Sequence, residues 1–159
     1  MTTGAPPVGD LSVGFDTTPQ VLGNAGVARY TRELGAMLAH EPGVVLHRLG
    51  TTRERSASPM RNAERALRQL AAYPLALARE AAGHRVELIH CPAPIAPVRS
   101  KLPLVLTLHD LLAWHDDHDR GRLALAREKL FTRRLAKKAR RVLVPSEFLR
   151  DEAVAFLGL

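Results

Sequence analysis

Cysteine occurs once in the 159 residues, at Cys91. A single thiol excludes an intramolecular disulfide and any cysteine-based zinc cluster. Aromatic side chains make up only 4% of the chain, which argues against a protein that grips bases or sugars mainly by stacking. No apolar run approaches the ~18 residues that a membrane span needs. The N-terminus, Met1-Thr-Thr-Gly-Ala-Pro-Pro7, lacks the basic and apolar regions of a secretory signal. No segment repeats at the periods expected of solenoids or propellers. These absences lead to the expectation of a soluble, cytoplasmic protein.

What is present is ordinary for a globular domain. Hydrophobic residues account for 46% and charged residues for 25%, so a packed core is within reach and wholesale disorder is not expected. The length suits one domain. The balance of charge is less ordinary. A formal charge of +7 and a pI near 10.5 favour anionic partners: phosphates, an anionic membrane surface or nucleic acid. Arginine supplies 19 of the 23 basic residues and alanine is abundant. That bias fits a GC-rich bacterial genome and says nothing about mechanism.

Residues 1–10 read as a loose Pro/Gly tail and residues 11–159 as the domain. Short apolar runs predict strands at Leu11–Asp16, Val44–Leu49, Val86–His90, Leu104–Leu108 and Arg141–Val144. Val27, Tyr30, Leu34, Met37 and Leu38 recur at helical spacing, and Pro42-Gly43 closes that helix. Residues 51–60 are polar and read as loop. Residues 61–82, rich in Ala, Leu and Arg, predict a helix broken or kinked at Pro74. Three prolines between Cys91 and Pro97 exclude regular structure there. His109 to Asp119 reads as a polar loop, Gly121 to Arg140 as a long helix, and Ser146 to Leu157 as a last helix. Strands that alternate with helices predict an α/β fold: a Rossmann-like, mostly parallel sheet with helices on both faces. Ligands of such sheets sit beyond the carboxyl ends of the strands. The positions of interest are therefore Asp16 to Gly26, His90 to Pro97, His109 to Asp119, and Ser146 to Glu147.

Several segments could carry chemistry. Gly23-Asn-Ala-Gly26 opens a helix, and small residues there let backbone N–H groups approach an anion. It is neither a G-x-G-x-x-G fingerprint nor a P-loop, and an ordinary strand-to-helix turn explains it as well. His109 and Asp110 fall just past a buried strand, where His109 could bond a substrate hydroxyl or a developing charge. His109, Asp110, His115, Asp116, Asp117, His118 and Asp119 are metal-ligand types, but their spacing matches no metal motif, and no metal is assigned. Between Arg120 and Arg141 stand ten basic residues and one acid, Glu128. Arg122, Lys129, Arg133, Lys137 and Arg140 fall on one ridge, and Ala124, Phe131, Leu135 and Ala139 on the side expected to face the core. The ridge reads equally as an anion or membrane contact or as a solvated face. Ser146 is a natural helix N-cap. Cys91 is read as packing, since nothing beside it in sequence lowers its pKa.

Four segments in order resemble one family. They are Gly26-Val-Ala-Arg-Tyr-Thr-Arg-Glu-Leu34, His90-Cys-Pro92, Leu106-Thr-Leu-His-Asp-Leu111, and Arg141-Val-Leu-Val-Pro-Ser-Glu-Phe-Leu-Arg-Asp-Glu152. Together they resemble the N-terminal domain of retaining GT-B glycosyltransferases of family 4. The resemblance implies two Rossmann-like domains facing across a cleft, of which this chain is the acceptor-side one. It implies that the loop Gly23, Asn24 and Gly26 lies under the donor diphosphate and that His109 is the catalytic-site histidine near the transferred sugar. It implies further that Asp16, His90 and Asp110 serve the acceptor or substrate. The family's turn often reads Gly-Ile-Gly-Arg-Tyr, and here Ala28 takes the third place. The family's paired-glutamate E-x7-E segment belongs to a second, donor-binding domain that residues 1–159 do not contain, so the chain alone is expected to be inactive.

The expected reaction moves a hexose of mannose or glucose type from a nucleotide diphosphate sugar to a hydroxyl acceptor, lipid-linked or polysaccharide, with no cofactor. Peripheral contact with the inner face of the membrane is compatible with it, and nucleic acid is not the expected partner. Two rivals stay open. One is a non-enzymatic binding module that docks an anionic membrane or nucleic acid through the basic helix 120–141. The other, weaker, is a metal-dependent hydrolase built on the His109 to Asp119 cluster.

Overall fold

The structure is a computed structural model and describes residues 9–22, 24–50, 73–97, 100–115 and 122–159. Its centre is a five-stranded sheet: β1 Leu11–Asp16, β2 Val44–Leu49, β3 Leu88–Cys91, β4 Leu104–Thr107 and β5 Arg141–Leu143. The spatial order is β2-β1-β3-β4-β5, and every neighbouring pair is parallel. The chain reverses its direction of travel across the sheet between β2 and β3, so β1 and β3 flank the switch point where ligands of such folds collect.

The helices are α1 Pro19–Leu22, α2 Ala25–Leu38, a helix α3 over residues 73–83, α4 Leu112–His115, α5 Arg122–Lys138 and α6 Glu147–Leu157. Side chains alternate across each strand, and the two faces of the sheet carry different helices. On one face Phe15 meets α2: a Cβ at Gly35 would come within 2.9 Å of the Phe15 ring. Only glycine allows the helix to lie that close to the sheet. On the other, Ile89, Cys91, Leu104 and Leu106 join Tyr73, Leu77 and Ala81 of α3, Leu135 and Ala136 of α5, and Leu149, Ala153 and Leu157 of α6 in one buried cluster.

Caps fix where the helices start and stop. Asn24 caps α2, its side-chain oxygen accepting from Val27 N–H at 2.9 Å. Ser146 caps α6 in the same way through Leu149 N–H at 3.2 Å, as its residue type predicts. Gly158 ends α6 in the left-handed conformation, φ 71°, which costs glycine little.

The expected strands are all present, with β3 shifted: it starts at Leu88 and runs on through His90 to Cys91. Val86 is excluded by the turn before it, where Arg85 takes a positive φ of 53°. The loop after β4 contains the helical turn α4, and α1 occupies part of the expected turn after β1. Pro19 suits its first position, since that N–H needs no partner. Residues 1–8 of the expected tail, the expected loop 51–60 and the part of the expected helix before residue 73 lie outside the described residues. The register of α5 also differs from expectation. The buried stripe is Leu125, Thr132, Leu135 and Ala136, while Ala124 and Phe131 are exposed. Steps of seven, three and one residue keep that stripe on one side, and it lies a residue away from the Ala124–Phe131 line. Leu135 alone belongs fully to both.

Candidate functional site

The carboxyl ends of β1, β3 and β4 meet at one rim, and three side chains hang together there. Thr107 ends β4 and is buried. Its hydroxyl lies 3.1 Å from His90 Nε2 and 3.4 Å from the Tyr30 hydroxyl. Tyr30 reaches in from the second turn of α2, so one threonine ties the helix to the two central strands. His90 also stands edge-on to Phe15, with ring centroids 5.4 Å apart. Burial lowers the pKa of His90 to about 4, because desolvation penalises the charged ring. His90 is thus neutral at physiological pH and belongs to the floor of the rim.

His109 lies one residue beyond Leu108, which is itself buried. Its Nε2 is 2.8 Å from the carbonyl oxygen of Pro92. A carbonyl only accepts, so Nε2 carries the hydrogen and Nδ1 is the ring atom left for another partner. The Tyr30 ring meets the imidazole edge-on at 4.8 Å. His109 is half-buried and Asp110 exposed. Asp110 Oδ1 accepts from Leu112 N–H at 3.3 Å and so opens α4. The expected pair His109 and Asp110 is therefore at the rim, and the proline-rich segment after β3 presents the carbonyl that orients the imidazole. Tyr30, Thr107 and the Pro92 carbonyl were not singled out in the sequence. The one signal was a threonine inside an otherwise apolar strand.

Asp16 sits differently. It ends β1 fully buried, and its Oδ1 accepts from Thr18 N–H at 2.9 Å. Asp16 Oδ2, Thr18 Oγ1 and the Tyr73 hydroxyl have no hydrogen-bond partner at ordinary length, although Tyr73 stands close enough to influence the carboxyl. Burial raises the pKa of Asp16 to about 6, with Glu80 adding a smaller push. Asp16 thus lies beneath the rim. Cys91 is buried too, and burial raises its thiol well above the ordinary value, so it packs as expected.

Asn24 and Gly26 are exposed at the start of α2; Gly23 lies outside the described residues. A Cβ at Gly26 would find only Asn24 Oδ1, at an ordinary 3.6 Å, so this glycine meets no steric need inside the chain. Among the described residues no three His, Cys, Asp or Glu side chains form a metal-binding group. His115 pairs with Glu152 and packs on Phe156, which ties α4 to α6; Asp116 to Asp119 are not described. The basic ridge divides. Arg133 Nε donates to the Leu157 carbonyl at 3.4 Å, and a Cβ at Gly158 would meet Arg133 Nη2 and Lys137 Nζ at 3.9 and 4.0 Å. Both cations thus stand at the carboxyl end of α6, where they complement its dipole. Lys129 is half-buried, Arg122 is exposed, and Arg140 is exposed beyond the end of α5.

The profile of Glycosyltransferase Family 4 matches residues 24–159. The chain belongs to glycosyltransferase family 4. No curated protein matches it. A family 4 domain is a glycosyl-transfer domain, and its partners are in general terms a sugar donor and an acceptor. The parallel five-stranded sheet is the Rossmann-like half of a GT-B fold.

Thr107→Val tests the hub of this rim. Valine keeps the shape and removes the hydroxyl shared by His90 and Tyr30. A buried ring nitrogen left without a partner costs about 1–2 kcal/mol. We expect that loss in a urea titration, with an unchanged m-value; an unchanged midpoint would show that the hydroxyl holds neither partner.

Proposed function

We propose that the chain is the N-terminal, acceptor-side half of a retaining glycosyltransferase. The reaction moves a hexose of mannose or glucose type from a nucleotide diphosphate sugar to a hydroxyl acceptor. The observation that carries this reading is the fixed imidazole of His109 at the rim of a family 4 domain. Its Nδ1 faces a sugar hydroxyl or the charge that develops as the glycosidic bond to the diphosphate breaks. A preoriented group at that point acts without reorganising. Asn24, Gly26 and Gly23 at the start of α2 approach the diphosphate through backbone N–H groups, helped by the helix dipole. Asp110 contacts the acceptor or the sugar, and His90 and Asp16 form the floor under it. The diphosphate is balanced by basic groups and helix termini, with no cofactor. The rest of the donor is held by a second Rossmann-like domain, and the reaction runs in the cytoplasm.

The test is transfer of labelled hexose from nucleotide diphosphate hexoses to hydroxyl acceptors. Residues 1–159 alone should transfer none, because half a cleft neither excludes water nor orients donor against acceptor. Fused ahead of the donor-binding domain of a family 4 enzyme, they should regain transfer. Robust turnover by the chain alone overturns the half-enzyme reading. A fusion that binds its donor and transfers to no acceptor overturns the acceptor-side role.

A further inference from the structure

Helix α5 buries one stripe and leaves large apolar side chains on the other side. Leu123 is 78% exposed, Leu130 52% and Phe131 39%. Leu125, Thr132, Leu135 and Ala136 point inward. At 3.6 residues per turn, Leu123 and Leu130, seven apart, lie one above the other on the outward half, and Phe131 stands on its far flank. Arg127, Arg134, Lys137 and Lys138 fall on the same outward half, and all four are exposed. Glu128, the one acid of the helix, is exposed as well, but it follows Leu125 by three residues and so stands on the side turned away from Leu123 and Leu130. The outward face therefore combines exposed apolar side chains with cations and carries no acid.

Few partners satisfy both halves of that description. A polyanion such as nucleic acid takes the cations, but its phosphates offer nothing to leucine. An acidic protein surface has the same defect. The boundary of an anionic bilayer offers both at matching depths. Headgroup phosphates lie level with the ends of long Arg and Lys side chains, and acyl chains lie just below, within reach of leucine and phenylalanine. No described helix is long and apolar enough to cross a membrane, so the contact lies along the surface.

We propose that the outward face of α5 docks on an anionic lipid bilayer. Leu123, Leu130 and Phe131 enter the boundary between headgroups and acyl chains, and Arg127, Arg134 and Lys138 rest on lipid phosphates. This assignment stands independently of sugar transfer. It also moves the membrane contact away from Arg133 and Lys137, which stand at the end of α6.

Flotation with phosphatidylcholine vesicles, with and without phosphatidylglycerol, tests it on the chain as it stands. Binding should require the anionic lipid and should weaken with salt. Leu123→Ser with Leu130→Ser leaves every charge in place and touches only exposed positions. It should weaken vesicle binding by roughly tenfold for each leucine that the bilayer buries, with helical circular dichroism unchanged. The same double variant should bind heparin as tightly as the parent. Three results would overturn the proposal: no flotation on anionic vesicles, flotation undiminished by the two serines, or an equal loss of heparin binding.

Discussion

Replacing His109 by alanine is expected to lower sugar transfer roughly a hundredfold or more in the fusion that supplies a donor-binding domain. The size follows from how the ring is held. Nε2–H donates to the Pro92 carbonyl at 2.8 Å and Tyr30 closes one side of the ring at 4.8 Å. The imidazole is thereby fixed in tautomer and direction before a substrate arrives, and a group so fixed gives most of its effect in the transition state. The loss should fall on kcat and kcat/KM together, with little change in KM. Tyr30→Phe is the companion variant. It keeps the ring against His109 and removes only the long contact to Thr107 at 3.4 Å, so turnover should stay near that of the parent. A His109→Ala enzyme with unchanged kcat would remove His109 from the chemistry.

The sheet was legible in the sequence because its strands are apolar runs bounded by turn residues, and such runs leave little choice when both faces are covered. Ser146 was legible as a cap because the position selects the residue type, whereas Asn24 stood out only as part of a glycine turn and its capping bond to Val27 is shown by the structure. The site was legible only in outline. His90 and His109 both stand near strand ends, and periodicity cannot tell that β3 runs on through His90 while His109 clears the end of β4. His90 stands one residue inside the end of β3 and His109 two beyond the end of β4, so three positions separate a floor histidine from a rim histidine. A margin of one residue misplaced the apolar side of α5. Its leucines and alanines are spread around the helix, so composition alone does not say which stripe the core takes; Leu125 and Ala136 are decided by what α4, β4 and α6 present. Asp16 looked like a rim carboxylate for the same reason. That it lies beneath Gly50, with Thr18 and Tyr73 beside it, depends on pairing with β2 and on a helix remote in sequence, and no local pattern encodes either.

That burial has a measurable consequence. Asp16→Asn is expected to stabilise the fold at pH 8 by on the order of 3 kcal/mol and to change little near pH 4. The carboxyl has a pKa of about 6 in the folded chain against 3.8 as its ordinary value. Below 3.8 the folded and unfolded states are both protonated. As pH rises, the unfolded chain ionises first, so the stability that protonated Asp16 confers is lost between the two values. Above about 6 the whole loss remains, and asparagine avoids it. Asparagine also retains the oxygen that accepts from Thr18 N–H. Its amide brings donors to Thr18 Oγ1 and the Tyr73 hydroxyl, both without partners in the parent. His90 acts in the opposite sense over nearly the same window. Its pKa falls from 6.5 to about 4 on burial, so its contribution is complete above 6.5 and is lost as pH falls towards 4. In the parent the two slopes largely cancel. In the variant only the His90 slope remains, and stability should climb steadily from pH 4 to 6.5. Urea titrations of both proteins across that range measure the difference directly. Two parallel curves would mean that Asp16 is ionised in the fold at no cost.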